Sequence, residues 1–126
     1  MKILVVDDDP DVRRLLDVWL KANRYDTCFA ADVRSAIVAA LKDKPDLIIL
    51  DLGLPGDDGF GGMEKFKAIP ALGGIPIVVL SAHDAPAIMK RAMEAGVKAF
   101  LQKPVHTREL VAAVRQALEL AQPENP

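Results

Sequence analysis

Polar residues able to do chemistry stand at the ends of short apolar runs. Asp7-Asp8 follow Ile3-Leu4-Val5-Val6, Asp51 follows Leu47-Ile48-Ile49-Leu50, Ser81 follows Ile77-Val78-Val79-Leu80, and Lys103 stands just past Ala99-Phe100-Leu101. Carboxylates, a hydroxyl and an ammonium at one rim suit a divalent cation held beside a phosphoryl group. Hard cations take oxygen ligands, and a phosphoryl group takes donors and positive charge. Asp51 ends an aliphatic run and precedes Leu52-Gly53-Leu54-Pro55-Gly56, a rigid place for a nucleophile. Bringing Asp7, Asp8 and Asp51 together costs like-charge repulsion, which raises a carboxyl pKa or calls for a cation such as Mg²⁺. Each residue alone has a plainer reading: an acidic turn, a serine cap, a solvated lysine. Asp9, directly before Pro10, is read only as a helix cap. The shared placement is what favours phosphate chemistry.

Something must bring those run ends together. Strand-like runs at about 2–6, 26–30, 46–51, 76–81 and 98–102 alternate with helical stretches at about 10–22, 33–43, 60–68, 85–95 and 107–121. Strict alternation predicts an α/β fold with a parallel sheet covered by helices on both faces, because parallel connections need right-handed crossovers. Ligands of such sheets bind at the carboxyl ends of the strands. Asp9, Asp32 and Thr107 are read as helix caps, and Gly96 as a helix stop. Val12, Leu15, Leu16 and Trp19 share one stripe of the first helix, and Leu110, Val114, Ala117, Leu118 and Ala121 share one of the last. These stripes, with the methionines, are expected in the core. Gly59-Phe60-Gly61-Gly62 puts three glycines at the head of the third helix, each about 1 kcal/mol worse than alanine, so that helix is expected to start late or fray.

The chain has 126 residues, 51% of them hydrophobic and 27% charged, enough for one compact domain. No apolar stretch approaches the ~20 residues a membrane span needs. Met1-Lys2 leads straight into a strand, with no room for a signal segment, so cytoplasmic residence is expected. The net charge of −2 and scattered Lys and Arg argue against direct binding of nucleic acid. Cys28 is read as a small buried hydrophobe without a role. Residues 1–121 are taken as the domain and 122–126 as a flexible tail.

Val5-Val6-Asp7-Asp8-Asp9-Pro10, Leu50-Asp51-Leu52-Gly53-Leu54-Pro55-Gly56-Asp57-Asp58-Gly59, Leu80-Ser81-Ala82 and Gln102-Lys103-Pro104 together resemble the receiver domain of two-component response regulators. The resemblance covers essentially the whole chain. It implies a flavodoxin-like sheet with strand order 2-1-3-4-5. It also implies that Asp51 accepts a phosphoryl group from a sensor histidine kinase, a phosphotransfer protein or a small donor such as acetyl phosphate. Asp8, Asp51 and the Gly53 carbonyl would hold Mg²⁺, with Asp7 helping partly through water, and Lys103 would contact the phosphoryl group. Ser81 and Phe100 stand at the family's switch positions. The face of the fourth helix, fifth strand and fifth helix would bind an output partner. The Lys103-Pro104 bond resembles one that is cis in the family.

The residues two after the phosphoacceptor and two after the switch serine influence phosphoryl lifetime in the family; here they are Gly53 and His83. Ala95-Gly96-Val97-Lys98-Ala99 lacks the paired acids typical of receivers that dimerise through the output face. A phosphohydrolase of the haloacid dehalogenase type would need an Asp where Gly53 stands, and a pseudo-receiver would usually have lost an acid or the lysine. A signalling phosphoacceptor, rather than an enzyme turning over a separate metabolite, is the expectation.

Overall fold

In the computed structural model, which describes residues 1–53, 59–82 and 86–121, the expected alternation is realised. Strands β1 (Lys2–Val6), β2 (Asp26–Ala30), β3 (Leu47–Asp51), β4 (Ile77–Ser81) and β5 (Ala99–Gln102) alternate with helices α1 (Pro10–Ala22), α2 (Val33–Asp43), α3 (Gly59–Ala68), α4 (Pro86–Glu94) and α5 (Thr107–Ala121). Every strand pairing is parallel, and the order is β2-β1-β3-β4-β5. The central strands are apolar on both sides because both faces are covered. Leu4, Val6, Ile48, Leu50 and Val79 pack with Ala36, Ala40, Met63, Phe66 and Ala92 of α2, α3 and α4. Ile3, Val5, Ile49, Val78 and Leu80 pack with Leu16 and Leu20 of α1 and Leu110, Val114 and Ala117 of α5. The winding reverses between β1 and β3, which opens a crevice at their carboxyl ends.

Local chemistry sets most boundaries. Asp9 caps α1, its Oδ1 accepting the Asp11 N–H at 2.9 Å, and Pro10 opens the helix. Asp32 caps α2 through the Ser35 N–H at 2.7 Å. Gly96, at φ 94, follows α4 in the left-handed conformation that glycine adopts without strain. Thr107, expected as a cap, is instead the first residue of α5: the Leu110 N–H bonds the His106 carbonyl at 3.0 Å, making His106 the flanking residue.

Periodicity misjudged two faces. Leu15 is 46% exposed, and the deep contacts of α1 come from Leu16 and Leu20, with Val12 and Trp19 half-buried beside them. Of the methionines only Met63 is core, while Met89 and Met93 are each 49% exposed on α4. Apolar spacing shows a stripe but not which edge of it the neighbouring elements cover. Cys28 is half-buried rather than fully so, and burial raises its thiol pKa.

The glycine-rich head of α3 is helical from Gly59 onward rather than starting late. The reason is tertiary. A Cβ at Gly62 would lie 2.9 Å from Val33 Cγ2, so α2 and α3 approach where only hydrogen fits. The Arg91 guanidinium also stacks 3.9 Å from the Phe60 ring centroid, a contact of about 0.5–1 kcal/mol at an exposed site. Gly62→Ala is expected to lower stability despite alanine's better helix propensity. Overpacking costs about 1–3 kcal/mol against about 1 kcal/mol gained, and Val33 has little χ1 freedom in a helix. A fall in Tm of about 4 °C should register in thermal melts; a rise would show that the close approach imposes no constraint.

Candidate functional site

Parallel register levels the strand ends. Val6 pairs with Leu50 and Asp51 with Leu80, so Asp7 and Asp51 leave neighbouring strands at the same height. Ser81 pairs with Gln102, and the Lys103 N–H bonds the Ser81 carbonyl at 2.8 Å, which brings Lys103 onto the same rim. There Asp7, Asp8 and Asp51 each offer a carboxylate oxygen, all within 4.8 Å of one another. Lys103 Nζ lies 2.8 Å from Asp7 Oδ2 and 3.2 Å from Asp51 Oδ2, bridging two carboxylates. Asp51 Oδ1 accepts the Gly53 N–H at 2.9 Å, a local turn bond that fixes the carboxylate. Asp7 Oδ1 accepts the Asp9 N–H at 2.9 Å, which leaves Oδ2 turned toward the cluster.

The burial is uneven. Asp7 is fully buried and Asp51 is 5% exposed, whereas Asp8 faces solvent. Burial pushes the Asp7 carboxyl above its ordinary value; the Lys103 ammonium and the Asp9 N–H pull it back, and the charge of Asp51 adds to the rise. For Lys103, burial alone would lower the ammonium, but Asp7 and Asp51 outweigh it and the net direction is upward. Among the described residues no donor meets hydrogen-bond geometry at Asp7 Oδ2, and its 2.8 Å contact with the Lys103 ammonium is an ion pair. An all-oxygen donor set with an under-coordinated buried oxygen and one solvent-facing member fits a hard divalent cation.

A pH dependence follows. The folded protein binds the Asp7 proton more tightly than the unfolded chain does, so in EDTA stability falls as pH rises above 3.8, until the raised folded pKa is passed. A bound dication favours the ionised form. The Tm increment from saturating Mg²⁺ is therefore expected to vanish near the unfolded carboxyl value and to grow toward neutrality. At a hundredfold excess over Kd it corresponds to about 2.7 kcal/mol. Melts across pH with and without EDTA check this; a pH-independent increment would place the cation elsewhere.

The other expected residues lie as follows. Ser81 is buried at the end of β4, one residue past Leu80, the register partner of Asp51. Phe100, on β5, is half-buried against the core that includes α3 and α4 residues. The Lys103-Pro104 bond is cis. His83 lies outside the described residues, as does the 122–126 tail. Arg13 is one of the scattered cations in sequence, yet it is half-buried and its Nη1 donates to the Asp7 carbonyl at 2.7 Å. No residue-type signal distinguishes it from its exposed neighbour Arg14. Among the described residues, no helix is long and apolar enough to cross a membrane.

Residues 3–115 match the family model of the response regulator receiver domain. The chain is 37% identical over 117 residues to the DNA-binding response regulator MtrA of Mycolicibacterium smegmatis, an alignment covering 93% of this chain and 50% of MtrA. It is 40% identical over 114 residues to the response regulator PleD of Caulobacter vibrioides, covering 90% of this chain and 25% of PleD. A crystal structure of a putative response regulator from Chloroflexus aurantiacus superposes with TM-score 0.87 at 32% identity, covering 94% of this chain and 97% of that one. The chain belongs to the response regulator receiver domain family, whose role is phosphorylation-based signalling and whose members typically bind Mg²⁺ at an acidic pocket. It spans about half the length of the MtrA relatives and a quarter of PleD.

Proposed function

We propose that residues 1–121 act as a phosphorylation-controlled interaction module in which Asp51 is the phosphoacceptor. The observation that carries this reading is the bridging of Asp7 and Asp51 by Lys103 inside a cluster of three carboxylates. An Asp51 carboxylate oxygen attacks phosphorus, an acyl phosphate bond forms, and the donor's bond to phosphorus breaks, releasing acetate when the donor is acetyl phosphate. Gly53 N–H and Lys103 hold the attacking carboxylate, and Lys103 then contacts the transferred group's oxygens. Asp8, Asp51 and the Gly53 carbonyl would hold Mg²⁺, with Asp7 contributing partly through water; the ion supplies positive charge against the phosphoryl oxygens.

The output is a change of shape. A phosphoryl group on Asp51 adds nearly two negative charges and three acceptor oxygens next to Ser81. Ser81 moves toward it, Phe100 fills the vacated space, and the α4-β5-α5 face repacks for its partner. A coupling of about 1–3 kcal/mol changes partner affinity by about 5- to 150-fold. The proposed donors are a sensor histidine kinase or a phosphotransfer protein, and the proposed compartment is the cytoplasm. No separate metabolite is turned over.

Intact-mass spectrometry after incubation with acetyl phosphate and Mg²⁺ tests the reading. One phosphoryl adduct is expected, lost in EDTA. Absence of an adduct with both acetyl phosphate and a phosphorylated histidine donor would reject phosphoacceptance.

A further inference from the structure

The acidic cluster depends on two adjacent residues, Asp7 and Asp8, whose restraints differ. Asp7 is held through its carboxylate by the Asp9 N–H and Lys103. Asp8 is exposed, and among the described residues its side chain makes no hydrogen bond or ion pair. Yet its carboxylate oxygen lies within 4.8 Å of those of Asp7 and Asp51. Something in the backbone must aim it.

The peptide unit between the two acids is planar, so its orientation couples ψ of Asp7 to φ of Asp8. Its carbonyl accepts the 2.7 Å hydrogen bond from Arg13 Nη1. Arg13 sits in the second turn of α1, a helix anchored by Leu16 and Leu20 in the core and capped by Asp9. Holding that carbonyl fixes the tilt of the plane from which the Asp8 side chain departs. We propose that Arg13 is a positioning residue for the cation site, acting through the Asp7–Asp8 peptide. This rests on the metal reading given above and adds to it a residue outside the acidic set.

The sign of the expected effect separates this role from simple electrostatics. Arg13 carries positive charge close to the acids, so charge removal alone would tighten Mg²⁺ binding. Loss of positioning would weaken it, and partners behind metal ligands commonly contribute 10- to 100-fold in affinity. Titration calorimetry of Mg²⁺ into the parent and Arg13→Met, well below Tm, is therefore expected to show Kd raised about tenfold in the variant. Phosphorylation by acetyl phosphate should recover at saturating Mg²⁺. Arg14→Met, which removes an exposed charge one residue away, should leave Kd unchanged or slightly lower. Arg13→Lys keeps the charge but loses the planar fork, and should raise Kd as well; it decides the matter if Arg13→Met does not fold. An unchanged or lower Kd in Arg13→Met, or in Arg13→Lys where that variant decides, overturns the inference while leaving the metal site standing. If the parent itself binds no Mg²⁺, the metal reading falls and this inference falls with it.

Discussion

Asp51→Asn is expected to abolish phosphoryl uptake, with no adduct detectable by intact mass under conditions that label the parent. The substitution removes the proposed attacking carboxylate while keeping its shape, and the Gly53 N–H still has an oxygen to bond. The neighbouring acids are poor substitutes. Asp7 is fully buried, with one oxygen held by the Asp9 N–H and the other against Lys103. Asp8 is accessible but lacks the Gly53 and Lys103 contacts that orient Asp51. The variant should remain folded, because it removes one of three mutually repelling charges. A labelled Asp51→Asn protein, with the adduct mapped to Asp7, Asp8 or Ser81, would refute the assignment of the nucleophile.

Lys103→Met should produce the largest stability change at the site. In the metal-free protein the ammonium is the counter-charge to Asp7 Oδ2, which among the described residues has no other partner, and it also bonds Asp51 Oδ2. Breaking a buried pair by removing one partner costs about 3–5 kcal/mol; Lys103 is 22% exposed, which reduces that to about 2–3 kcal/mol and a Tm loss of about 10 °C. Saturating Mg²⁺ is expected to return most of the loss, because a dication among the carboxylates replaces the missing charge. The Mg²⁺-induced rise in Tm should thus be larger in the variant than in the parent. Equal increments in the two proteins would mean that Lys103 and the cation do not compensate the same charges. Phosphoryl uptake should fall as well, since the ammonium no longer holds the carboxylate of Asp51, the proposed phosphoacceptor.

Much of the architecture is legible in the sequence. Continuous β-branched and leucine-rich runs such as Leu47–Leu50 and Ile77–Leu80, bounded by turn residues, read as strands buried on both faces, and their strict alternation with amphipathic stretches leaves few topologies. The strand-end positions of Asp7, Asp51, Ser81 and Lys103 were visible for the same reason: a chemical residue directly after a buried strand is carried to the rim of the sheet. Less legible was what neighbours cover. Leu15 and Leu16 look alike in sequence, yet Leu15 is 46% exposed and Leu16 1% exposed, because α1 meets the sheet along a line that runs nearer Leu16 and Leu20.

The element order, the caps at Asp9 and Asp32, the glycine stop at Gly96 and the kinds of group that line the site follow from local dihedral preferences and from periodicities of two and 3.6 residues. The remainder comes from packing. Lys103 reaches both Asp7 and Asp51 only because β1, β3 and β4-β5 are parallel and in register. A Cβ at Gly62 would crowd Val33 only because α2 packs there, and Arg13 differs from Arg14 only because α1 leans one of them over the Asp7 carbonyl. Such facts depend on distances between residues far apart in the chain or on the tilt of one element against another, which no local pattern encodes.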